Sequence, residues 1–121
     1  MIIFYFIDKP DPVTNCSVLH QSSESLQITC NEGFSGGLPQ NFLLEIFATE
    51  DNALLTNISN SQPTFTIRAL HPDTQYMVQV TAVNAKGRSD ALTVSLLTLR
   101  LPETQKNIGS VKSESKSPLF I

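Results

Sequence analysis

A chain of 121 residues has room for one domain and its flanks. Its hydrophobic fraction of 40% suits a packed core, and 16% charged residues excludes a highly charged disordered polymer. A net charge of −3, with Lys and Arg scattered singly, excludes nucleic acid and acidic membrane surfaces as partners, because both select clustered positive charge.

The N-terminal run Met1–Ile7 (MIIFYFI) has the apolarity of a signal or membrane segment without its build. No basic residue precedes it and no small-residue cleavage site follows. It sits at the lower limit of the roughly 7–15 residues of a signal core and well short of the roughly 20 residues of a span. Residues 1–9 are therefore expected to be an edge outside the fold, with the domain over residues 10–100.

From there, short alternating strands separated by turn residues predict an all-β sandwich. Asn15–Leu19 sets Cys16 and Val18 against polar neighbours, and Ser25–Cys30 sets Leu26, Ile28 and Cys30 against Gln27 and Thr29. If these two strands form a hairpin turning near Ser23, Val18 faces Ile28 and Cys16 faces Cys30, with the apolar members of both on one side. Facing Cβ atoms about 4.5–5.5 Å apart are slightly wide for a disulfide but closable by twist. Such a bond, closing a loop of about 15 residues, would stabilise by about 3 kcal/mol in the chain-entropy model. The other reading is two buried thiols, since cysteine is common in cores. Either way the pair, with His20 and His71 unplaced around it, lacks the ligand spacing of a zinc site.

Glu32–Pro39, rich in glycine, predicts a loop. Phe42, Leu44 and Ile46 then point inward from a third strand, a weaker strand follows near Leu54–Thr56, and Phe65 and Ile67 point inward from a fifth over Thr64–Arg68. Asn15-Cys16-Ser17 and Asn57-Ile58-Ser59 match the N-glycosylation acceptor. Asn15 is expected to face outward and Asn57 to lie in the loop after the fourth strand. Glycans and a disulfide require the same secretory route, so the two signals support each other.

The segment Leu70–Asp90 is the most specific. Leu70 and Pro72 precede Tyr76, which opens the alternating strand Tyr76-Val78-Val80-Ala82. This is the form of a tyrosine corner, in which a buried ring sends its hydroxyl back to the backbone just upstream. A last strand is expected over Ala91–Leu97. The polar stretch beyond, residues 101–121, is expected to be a flexible tail or linker.

These strands resemble those of a fibronectin type III domain, which implies a seven-stranded antiparallel, immunoglobulin-like β-sandwich in the order A-B-C-C′-E-F-G. The family's B strand usually ends in a core tryptophan. Here Ser25-Leu26-Gln27-Ile28-Thr29-Cys30 ends in Cys30, and the chain has no tryptophan. Gly87-Arg88-Ser89-Asp90 occupies the F–G region where some such modules carry Arg-Gly-Asp, but the order differs and Arg88 is expected to be a solvated loop residue. More narrowly, Asn15-Cys16-Ser17 together with Leu26–Glu45 is similar to the fibronectin module of the sidestep-like arthropod adhesion proteins, type I membrane proteins acting in axon guidance. That resemblance implies a non-enzymatic extracellular module, on the outer side of the plasma membrane, in a cell-cell recognition protein. Its partners would be other cell-surface proteins, bound mainly through neighbouring immunoglobulin domains, with no membrane insertion by this chain. The alternative is a ligand-binding or spacer module of a cytokine-type receptor or receptor phosphatase.

No phosphate loop, His-Glu-x-x-His or paired carboxylates are present, so no catalytic residue, metal or cofactor is expected. One surface feature rises above background. If Phe42, Leu44 and Ile46 point in, Leu43 and Phe47 point out, as do Met77 and Val83 on the F strand. Together they are expected to form an apolar patch on the outer C–F–G face, either a contact site or a surface covered by a neighbouring loop or tail.

Overall fold

The computed structural model describes residues 7–101. The chain forms β1 (Thr14–Leu19), β2 (Leu26–Asn31), β3 (Asn41–Ala48), β4 (Leu54–Asn60), β5 (Thr64–Ile67), β6 (Gln75–Asn84), β7 (Gly87–Arg88) and β8 (Leu92–Leu97). A three-stranded sheet has the order β1-β2-β5. The second sheet runs β4-β3-β6-β7, with β8 also pairing β6. These are the A-B-E and C′-C-F-G sheets of the expected sandwich. The one difference in strand count is local: the last strand is broken into β7 and β8, which pair β6 in separate stretches.

Alternation makes the core. Leu26, Ile28 and Cys30 from β2 and Phe65 and Ile67 from β5 face Phe42, Leu44 and Ile46 from β3 and Tyr76, Val78, Val80 and Ala82 from β6, all buried. Period-2 strands give each sheet one apolar face, and two such faces bury one another. Cys30 is buried at the position of the family's tryptophan, and Val13, just ahead of β1, is buried in the same core.

β4 and the entering segment differ from what the sequence predicts. β4 runs on to Asn60, so Asn57 lies within the strand, paired with Glu45 of β3, rather than in a following loop. Asn57, Ser59 and Asn60 have weak strand preference of their own, and the ladder to β3 overrides it. At the other end of the chain, the Asp8 N–H donates to Gly36 O at 3.0 Å, so among the described residues Asp8, expected to lie outside the domain, is already bonded to it. Gly36, at φ 78°, is required there because a Cβ would collide with Asp8 O. Among the residues expected to lie outside the domain, 1–6 and 102–121 are outside those described.

Candidate interaction surface

Three constellations stand out, and each is held by backbone geometry. The first is the E–F corner. Tyr76 is buried, and its hydroxyl accepts a hydrogen bond from the His71 N–H at 2.9 Å. Leu70 is buried beside it and its N–H donates to Glu24 O, tying the corner to the turn between β1 and β2. Pro72 is half-buried, and Thr74 Oγ1 donates to its carbonyl at 2.8 Å. The corner contains two residues in the left-handed region, Ala69 and Asp73. Thr98, singled out by nothing in the sequence analysis, completes it. Fully buried, Thr98 Oγ1 donates to His71 O at 2.5 Å and accepts from Thr74 N–H at 2.9 Å. The one peptide unit of His71 is thus held on its N–H by Tyr76 and on its carbonyl by Thr98.

The second is the opposite pole. Asn84, buried at the end of β6, donates from Nδ2 to Asp8 O at 2.7 Å and to Ser35 O at 2.8 Å. Its Oδ1 accepts from Lys86 N–H and Gly87 N–H. One side chain therefore ties the entering segment, the loop between β2 and β3 and the β6–β7 turn. A sequence signal existed for both residues: Asn84 continues the inward series of β6, and Thr98 the inward series Leu92-Val94-Leu96. Each is a polar residue at inward parity just past the apolar run. Arg88 is exposed in β7.

The third is the A–B hairpin. Val18 pairs with Ile28 and Ser17 with Thr29, while Thr14 pairs with Asn31, so a bulge falls at Asn15 and Cys16. Asn15 takes φ 53° there and is exposed. Cys16 and Cys30 are joined by a disulfide with Cα atoms 4.0 Å apart.

The outer face of the larger sheet carries the four apolar residues as two groups. Phe47 pairs with Met77 near one end. Leu43 pairs with Thr81, and Val83 with Asn41, near the other. Between the groups runs a polar row, Asn57, Glu45, Gln79 and Thr93, each paired with the next across four strands. All four apolar residues are half-buried, because neighbours on a sheet face cover one another's flanks, and Thr81 between Leu43 and Val83 is buried to 4% exposure. The patch is divided, not contiguous. Glu45 lies between buried Leu44 and buried Ile46, so it faces outward, and its cross-strand partner Asn57 shares that face. A glycan on Asn57 would stand on this face at its β4 edge strand, rather than in a loop beyond the strand's end.

A cleft of about 770 Å³ opens between the β3–β4 turn and the E–F corner, lined in part by Ala48, Leu55, Arg68, His71 and Gln75. Thr49 Oγ1, on its wall, donates to Gln75 O at 2.6 Å. Among the described residues no three His, Cys, Asp or Glu lie close enough to hold a metal ion, and no helix is long and apolar enough to cross a membrane. His20 and His71, both exposed, lie on different turns.

A profile of the fibronectin type III domain matches residues 11–95. Nephrin of Mus musculus is 36% identical over 85 residues, covering 69% of this chain and 7% of its own length. Roundabout homolog 2 of Homo sapiens is 29% identical over 86 residues, covering 69% and 6%. Among solved structures, domains d3–d4 of the rat CD45 extracellular region superpose with a TM-score of 0.69 at 22% identity, over 76% of this chain and 51% of that one. The chain thus spans less than a tenth of the curated relatives it matches. These relatives do not include a sidestep-like protein. They resemble this chain at the level of the module.

Proposed function

The chain belongs to the fibronectin type III family, and we propose that it is an extracellular spacer module of a cell-surface adhesion protein, a type I membrane protein serving cell-cell recognition or axon guidance. The observation that carries the spacer role is where the chain enters and leaves. Asp8 is bound beside Asn84, at the end of β6, and Thr98 N–H donates to Thr74 O, beside the start of β6. Ten residues of strand separate the two points, about 33 Å at roughly 3.3 Å per residue. A module threaded pole to pole adds its whole length to a stalk, and both poles are pinned by buried polar side chains.

The likeness to modules of nephrin and Roundabout homolog 2 supports placement in an adhesion protein, and the disulfide supports an oxidising compartment. No enzymatic role is part of this reading. The module contributes reach and orientation, and partner contacts belong to neighbouring domains of a longer protein. The test is antibody staining of cells expressing the full-length protein, directed at the exposed Phe34 loop. Intact cells should stain, and staining that appears only after permeabilisation overturns the placement.

A further inference from the structure

The flank of the sandwich formed by β4 and β5 has no charged guard. No Asp, Glu, Lys or Arg occurs between Asp51 and Arg68, a stretch containing both edge strands. Natural sheets protect open edges with charge, proline, bulges or brevity, because an unpaired row of N–H and C=O groups templates another strand. β5 is protected by brevity, with four residues and Pro63 at its head. β4 has only partial protection: a bulge interrupts its pairing between Thr56 and Leu54, leaving Thr56–Asn60 as a regular uncharged ladder. Leu54 and Leu55, 48% and 51% exposed beside it, add apolar surface that favours association. The other long edges differ. β1 is broken by the bulge at Asn15 and Cys16, and the end of β8 is covered by Gln21 Nε2, which donates to Leu97 O, and by Ser22 O, which accepts from Leu99 N–H.

Asn57 stands in that regular segment of β4. It is exposed, and it begins the acceptor triplet Asn57-Ile58-Ser59. We infer that Asn57 carries an N-linked glycan whose task is to guard this edge against antiparallel pairing with β4 of a second copy. In the coupling, Asn57 Nδ2 bonds to the anomeric carbon of an N-acetylglucosamine-led oligosaccharide. That carbon's bond to a polyprenyl diphosphate breaks, the diphosphate leaves with the electron pair, and the amide proton passes to a base of the transferase. A bulky hydrated group on the outer face of a five-residue segment prevents a second strand from closing on it. Without the glycan, two uncharged edges meet with no repulsion between them.

This inference rests on the extracellular reading for the attachment, but the open edge is a property of the fold alone, so the two are tested separately. The full chain is secreted from mammalian cells as wild type, Ser59→Ala and Ser59→Lys. The first substitution removes the acceptor and leaves the edge bare. The second removes the acceptor and places a charge on it. Glycopeptide mass spectrometry should find Asn57 occupied in the wild type, and an unoccupied Asn57 overturns the modification. Light scattering after size exclusion should give a monomer for wild type and Ser59→Lys, and a doubled or larger polypeptide mass for Ser59→Ala. Circular dichroism serves to establish that each is folded. A folded, monomeric Ser59→Ala at the same concentration overturns the guarding role whatever the compartment. An associated Ser59→Lys overturns it too, by showing that β4 is not where the copies meet.

Discussion

The peptide unit of His71 concentrates the corner's stability in two side chains. Tyr76 takes its N–H and Thr98 its carbonyl, both in partly buried hydrogen bonds from side chains that are themselves buried. Tyr76→Phe keeps the ring and removes the acceptor, leaving a partly buried N–H unpaired, which costs at the lower end of about 1–3 kcal/mol. Thr98→Val keeps the shape and orphans both the His71 carbonyl and the Thr74 N–H, a loss of the same order. Since both substitutions release one peptide unit, the double variant should lose less than the sum of the singles, by about 0.5 kcal/mol or more. Urea unfolding of all four proteins checks this, and strict additivity would mean that the two bonds act independently and not through one shared peptide unit. At the other pole Asn84→Ala removes the donor to Asp8 O and Ser35 O. Limited proteolysis should then cut within residues 7–12 faster than in the wild type, with the rest of the domain intact.

At the scale of elements, alternation carries most of the information. Tyr76, Val78, Val80 and Ala82 on one side, with Met77 and Gln79 on the other, define β6 and its face, and the same parity assigns β2, β3 and β5. What alternation lacks is length where propensity is weak. Thr56–Asn60 is uncharged and asparagine-rich, and it becomes strand only because β3 supplies a ladder that a local pattern does not contain. That single shift moves Asn57 from a loop to the outer face. Asn84 and Thr98 were hidden for another reason. Their parity is legible, but the value of a buried polar atom depends on partners from distant segments, Asp8 and Ser35 for one and His71 for the other. The A–B hairpin yields a direct test. Its disulfide should leave no thiol for alkylation in secreted protein without reductant. Replacing Cys16 and Cys30 together with serine should lower stability by about 3 kcal/mol, the chain-entropy value for a loop of about this length. Appearance of free thiol, or an unchanged unfolding midpoint in the variant, would count against a structural role for the bond.

For the whole molecule the question is whether the C′-C-F-G face binds a partner or faces solvent. Its apolar residues are half-buried and split by the row Asn57, Glu45, Gln79 and Thr93. A stable interface needs about 800 Å² per partner with a desolvated apolar centre, and here the centre of the face is polar. Charge on the apolar groups therefore tests the spacer role with little risk to the fold. Phe47 and Met77 are directly opposed, so two like charges would repel across the strands, whereas Phe47→Asp with Met77→Lys forms an opposite-charge pair. This double variant should fold, keep its disulfide and, within the full-length protein, support cell aggregation at the wild-type level. Under the proposed spacer role, deleting the module from the full-length protein should reduce aggregation while leaving binding by its other isolated domains unchanged, because reach and affinity are separate quantities in a tethered binder. If instead the folded double variant loses aggregation as completely as the deletion does, this face is a binding site and the module is more than a spacer.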